Sequence, residues 1–205
     1  MNLRISSRTT IFGILSLALL VLPALGQEAP QPGNVEMSPE EKAMMEKWEK
    51  AMTPGPQHAD LAAMAGTWTV ESKWWMTPGA EPQSSTGTAE RTMILGGRVM
   101  VEKFNGDMMG MPFEGMGATG FDNVSGQWWG TWMDSMGTGM MATTGTCADH
   151  KCEFVGSYND AVVGGSKTMR MTSEHQPDRE MHVMYDKSPD GKENKVGELV
   201  YTRKQ

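Results

Sequence analysis

The sequence is poor in the features that name a chemistry. It holds only two cysteines and three tyrosines, and no G-x-S-x-G elbow occurs. Neither cysteine is placed like a catalytic thiol. The four histidines, His58, His150, His175 and His182, show no H-x-H, H-E-x-x-H or H-x-x-x-H spacing. Spacing alone therefore does not support a zinc site, and no metal ligand set or catalytic residue is assigned. No loop cradles phosphate, because Gly96-Gly97-Arg98 is too short and joins two strands. Positive charge is in deficit, with 18 basic against 25 acidic residues and a net charge of −7. An acidic chain without a basic stripe argues against nucleic acid and against anionic membrane surfaces as partners. No repeat of 20–50 residues is visible.

Long apolar runs are also scarce. The one present, Ile11 to Leu22, follows Arg4 and Arg8 and precedes small residues at Ala24 and Gly26. Twelve residues are too few for a permanent membrane span, and the pattern is that of a signal peptide over residues 1–26, cleaved after Gly26. An N-terminal membrane anchor is the alternative. No cysteine follows the run, which argues against a lipoprotein. The mature chain has no membrane span and keeps 16 basic and 25 acidic residues, a net charge of −9. The expected location is periplasmic or secreted. In an oxidising compartment, Cys147 and Cys152, bracketing Ala148-Asp149-His150-Lys151, are expected to form a disulfide across a hairpin. Free thiols, or a metal site using Cys147, His150 and Cys152, are the alternatives.

Four segments follow: the signal peptide; a Pro- and Gln-rich flexible linker over 27–37; a helical segment over 38–64; and a β-barrel over 65–205. Ser38, Pro39 and Glu41 supply an N-cap, a first-turn proline and a capping box. Met44, Met45, Trp48 and Met52 then form an apolar stripe, expected to pack on the barrel. Thr53-Pro54-Gly55-Pro56 ends that helix and a short second one begins. From Gly66 onward, strands are predicted at 66–76, 86–95, 98–105, 113–122, 126–134, 137–147, 152–159, 165–175, 179–187 and 197–203. The turns between them include Gly96-Gly97, Asn105-Gly106, Asp122-Asn123 through Gly126, and Pro189-Asp190-Gly191. About ten short antiparallel strands at this spacing predict an all-β, up-and-down barrel whose interior can hold one small ligand.

Gly66-Thr67-Trp68 at the head of the first strand, with Arg203 on the last, resembles the lipocalin and calycin arrangement. There an aromatic plug closes one end and a late arginine lies across its ring. A wider set is more specific: Pro54-Gly55-Pro56-Gln57-His58, Leu61, Leu95-Gly96-Gly97-Arg98, Phe113-Glu114-Gly115, Gly120-Phe121-Asp122-Asn123 and Trp132-Met133-Asp134-Ser135. These resemble a bacterial domain-of-unknown-function family, number 1579, over residues 40–204. The resemblance implies a calycin-like β-barrel and no established activity. It also implies that Trp68 and Arg203 mark a closed end, so that a site should lie away from them.

The remaining candidates concern the interior. Trp74 shares a face with Trp68, and of Trp128 and Trp129 one faces in and one out. Trp74, Arg98, Trp129, Tyr185, Tyr201 and His58 are the expected ligand contacts, and His58 alternatively caps the short helical turn. Some calycin-like barrels hold haem through one strand histidine, and His182 is the late-strand candidate here; no cofactor is assigned. Twenty methionines beyond Met1 suit the lining of an irregular cavity. Their thioethers also suit Cu(I), with Met108 to Met116 the best copper candidate. The expected function is binding, carrying or sequestering a small hydrophobic molecule. The alternatives are a cavity-based enzyme and a Met-rich copper-handling protein.

Overall fold

The computed structural model describes residues 37–188 and 190–205. The expected signal peptide, most of the linker, and Pro189 of one turn lie outside the described residues. Two helices, α1 (Pro39–Met52) and α2 (Pro56–Ala63), precede ten strands. These are β1 (Gly66–Trp74), β2 (Gln83–Ile94), β3 (Val99–Met108), β4 (Met111–Asp122) and β5 (Gln127–Asp134). They continue as β6 (Met141–Ala148), β7 (Lys151–Asp160), β8 (Gly165–Gln176), β9 (Arg179–Lys187) and β10 (Glu193–Arg203). Each strand pairs antiparallel with its sequence neighbours, and β10 pairs with β1 to close the barrel. The ten predicted strands are the ten observed, with ends shifted by a few residues. The reversal expected at Asn105-Gly106 does not form: both residues continue β3, paired to β2 and β4, and the chain turns instead at Met109-Gly110, which take φ of 55° and 78°.

The alternation that predicted β1 is the alternation that builds it. Trp68, Val70 and Ser72 are buried inward while Glu71 and Lys73 face solvent. The β2–β3 reversal is possible because Gly96 and Gly97 take φ of 64° and 83°, which residues with a Cβ seldom adopt. On the inner face, Gly115 and Gly117 leave the space that the Trp132 ring fills; a Cβ on Gly115 would lie 2.3 Å from that ring. Cys147 and Cys152 sit directly opposite each other across the β6–β7 hairpin and form the expected disulfide.

One base of the barrel is dressed by the helices. The capping box at the start of α1 is present, with Ser38 Oγ accepting from the Glu41 amide at 3.2 Å and Glu41 Oε2 accepting from the Ser38 amide at 2.8 Å. The apolar stripe of α1 does not pack as expected. No residue of α1 is buried, and Trp48 is 59% exposed. The helix is instead tied by its C-terminal carbonyls, Met52 O accepting from Arg98 Nη2 and Thr53 O from Asn123 Nδ2. The shorter α2 does pack: Leu61 is fully buried against Met100 and Trp128.

β1 meets β10 with Trp68 opposite Arg203. The Arg203 guanidinium lies 4.2 Å from the centre of the Trp68 ring and donates to the carbonyls of Ala63, Ala65 and Pro177. The Trp68 indole N–H donates to Met64 O at 3.0 Å. With its ring fully buried, Trp68→Ala is expected to cost about 3–5 kcal/mol of stability. Urea unfolding checks this; an unchanged midpoint would mean that Trp68 is not part of the core.

Candidate functional site

The barrel surrounds a cavity of about 1380 Å³. Its lining runs from Met64 and Gln176 beside α2 to Met108, Asp134 and Met140 at the opposite rim. The wall is mostly apolar, with Phe104, Phe113, Trp128, Phe154, Met171 and Leu199 among its residues.

The floor is different. Arg91, on β2, shares the inward face with Ala89 and is 6% exposed. Its Nε donates to Glu102 Oε2 on β3 at 2.6 Å, and its Nη1 donates to both carboxylate oxygens of Glu180 on β9 at 2.8 Å. The same guanidinium lies 4.5 Å from the Tyr201 ring centre and 5.1 Å from that of Trp68. Tyr201 donates its hydroxyl to Glu102 Oε1 at 3.2 Å.

Two histidines complete the cluster. His182 Nε2 is 3.2 Å from Glu180 Oε2. His175 Nε2 is 2.8 Å from Ser173 Oγ, while its Nδ1 stands 3.7 Å from Glu180 Oε2 and has no hydrogen-bond partner. The β8–β9 hairpin makes this grouping: His175 is opposite Glu180 and Ser173 opposite His182, so all four side chains face inward together.

Burial and charge pull these groups in different directions. Burial alone raises the Glu180 pKa, but contacts with His175, His182 and the Arg91 guanidinium hold it well below the usual carboxylate range. Burial pushes the His182 imidazole down, against the pull of Glu180. Arg91 is opposed by burial, yet Glu102 and Glu180 outweigh it and the guanidinium is firmly charged. Tyr201 is driven well above its ordinary value, first by burial and then by the Glu102 carboxylate.

Of the six residues expected to contact a ligand, Trp74 and Tyr201 line the cavity and the other four do not. Trp129 is on the outer face, covering Gly120, while its neighbour Trp128 is buried inside. Tyr185 alternates outward from Met184 and lies under the Arg170 guanidinium, 4.2 Å from its ring centre. Arg98 is exposed at the β2–β3 turn and is committed to the carbonyls of Leu95 and Met52. His58 is buried within α2, where Nδ1 accepts from the Gly55 amide at 3.1 Å and the ring meets Phe121 edge-on. Asp134 accepts from the Trp132 indole N–H at 3.0 Å. Of the copper candidates, Met108, Met109 and Met111 cluster at the β3–β4 hairpin and Met116 stands apart. Met108 lines the cavity and Met111 is exposed opposite it, but Met116 lies further along β4, opposite Met133 on the outer surface. The five-residue step from Met111 to Met116 spans about 17 Å of extended strand.

Sequence reading expected a site away from Trp68; the polar floor of the cavity rests against that ring. Arg91, Glu102, Glu180 and His175 were not foreseen, and His182 was singled out only as a lone strand histidine. A signal was available for grouping them: His175, Glu180 and His182 flank one short hairpin, at spacings that put them on one face.

The sequence profile of the family described as "Protein of unknown function (DUF1579)" matches residues 53–203. The chain belongs to this family. No curated protein matches it. Among solved structures, the crystal structure of Rv2717c from M. tuberculosis is similar, with a TM-score of 0.55 at 12% identity, covering 75% of this chain and 100% of that one. At that identity the likeness extends to the fold alone, a closed antiparallel β-barrel.

For this DUF1579 member the floor makes two measurable demands. Arg91→Met leaves Glu102 and Glu180 buried without their cation and is expected to cost about 3–5 kcal/mol, measured by urea unfolding. A phenol whose folded pKa is raised gives stability that is complete below its unfolded value of about 10 and is lost as pH rises past it. Spectrophotometric titration is therefore expected to find Tyr201 protonated until the alkaline unfolding transition, with Tyr201→Phe shallower in its alkaline loss of stability. Free ionisation of all three tyrosines in the folded protein would contradict this burial.

Proposed function

We propose that this protein is an exported binding barrel that holds, carries or sequesters a small hydrophobic molecule in its interior. The observation that carries the reading is the cavity of about 1380 Å³. It exceeds the roughly 300–1,000 Å³ of ordinary ligand sites and has the apolar wall with few converging polar groups that such sites share. An apolar body would lie along Phe104, Phe113, Phe154, Met171 and Leu199, with a polar end toward the floor. Export is supported by the n-region, apolar run and small-residue spacing of residues 1–26, and is compatible with the Cys147–Cys152 disulfide.

A cavity enzyme is the second reading, favoured by one observation: Glu102, Glu180, His175 and His182 converge inward. Against it, both Glu180 oxygens already accept from Arg91, which leaves that carboxylate poorly disposed to take a proton.

Native mass spectrometry of the protein purified from its own source is expected to show an added organic mass that solvent extraction removes. An apolar fluorescent probe is expected to bind the extracted protein, and Met171→Trp, which fills part of the cavity, is expected to weaken that binding about tenfold at an unchanged thermal midpoint. A bare chain that also ignores the probe would overturn the binding reading.

A further inference from the structure

We infer that His175, Glu180 and His182 form a binding site for one divalent transition-metal ion at the floor of the cavity. Each offers one ligand atom, and the three atoms lie within 4.8 Å of one another. Two imidazole nitrogens and one carboxylate oxygen are a donor set suited to zinc and to ferrous iron, leaving further coordination positions for water or a bound molecule.

Three observations bear on this independently of the cavity's size. The first is charge. Arg91 faces two carboxylates, Glu102 and Glu180, so with neutral imidazoles the buried cluster carries one uncompensated negative charge. Buried charges are paired or hold metals. The second is the orphaned His175 Nδ1, which is buried with no partner and stands 3.7 Å from Glu180 Oε2. That gap is too long for a hydrogen bond. It is close to the roughly 3.3 Å between ligand atoms that bond lengths of about 2.0–2.1 Å produce around a tetrahedral ion. The His182–Glu180 separation of 3.2 Å agrees with the same geometry.

The third is support outside the ligand set. Ser173 Oγ holds the far nitrogen of His175 at 2.8 Å, which lets Nε2–H donate and leaves the Nδ1 lone pair aimed at the site. Metal-bound histidines are oriented by such partners. Arg91 does not block the ion, because a carboxylate oxygen that accepts one hydrogen bond retains a second lone pair. The guanidinium then acts as the partner that orients Glu180.

The test uses the protein stripped with a chelator, titrated with Zn²⁺ by calorimetry and with Co²⁺ by visible absorption. One equivalent is expected, together with Co²⁺ bands characteristic of nitrogen–oxygen coordination. His175→Ala and His182→Ala should each weaken Zn²⁺ binding by more than about 100-fold, and Ser173→Ala, which removes only an orienting partner, by about 10-fold. His150→Ala, at the exposed tip of the β6–β7 hairpin, should leave it unchanged. Near-ultraviolet circular dichroism of the metal-free variants separates lost ligands from lost fold. If His182→Ala does not fold, His175→Ala, whose side chain is 18% exposed, carries the test. Absence of saturable binding by the folded wild type, or binding that survives His175→Ala, would overturn the site. Either result leaves the hydrophobic-ligand reading intact, because that reading is measured with an organic probe and no metal.

Discussion

One guanidinium joins the parts of the barrel that are most distant in sequence. Arg91 stands on β2 and reaches Glu102 on β3, Glu180 on β9, the Trp68 ring on β1 and the Tyr201 ring on β10. These five strands surround the closure of the sheet. Burying a charge is tolerated only when it is paired and its donors are used. Arg91 therefore commits the register of β1, β2, β3, β9 and β10 together: a slip of one residue in any of them would turn its partner to solvent.

Trp68 makes that commitment from the other direction. Its ring lies between the cavity floor and the helical cover, with Arg91 and Arg203 both within about 5 Å of its centre and its N–H bonded to the carbonyl that ends α2. The aromatic ring that plugs the base is thus also the surface on which the polar floor rests. Wall and floor divide the interior into two chemistries, an apolar surround of Phe, Met and Leu side chains and a compact anionic cluster. Any guest of suitable size would meet both.

Local regularities carried much of this architecture. Gly96-Gly97, Ser38 with Glu41, and the Trp68–Val70–Ser72 alternation each act through the backbone or through neighbours a few residues away. The reversal, the capping box and the first strand therefore appear where the sequence puts them. The six expected ligand contacts were less legible because period-two alternation says that adjacent residues part, not which one goes inside. Trp129 and Tyr185 took the outer face, and their neighbours Trp128 and Met184 the inner one. Helix α1 is a different case. Its methionines and Trp48 have the spacing of a packing face, yet the chain ties the helix down through backbone carbonyls and leaves that face exposed.

The sequence by itself determined the number, order and approximate limits of the ten strands, reversals such as Gly96-Gly97 and the Cys147–Cys152 link, because each follows from contacts or turns within a short length of chain; the β3–β4 reversal fell at Met109-Gly110 and not at Asn105-Gly106. Only the tertiary structure decided that Arg91 points inward and that Glu102 and Glu180 share it. In an isolated strand a charged side chain gains most by facing water. Inside a closed barrel the same residue is stabilised by carboxylates brought from 11 and 89 residues away. Glu102 is already opposite Arg91 in the β2–β3 hairpin, whereas Glu180 reaches it only once β10 has met β1.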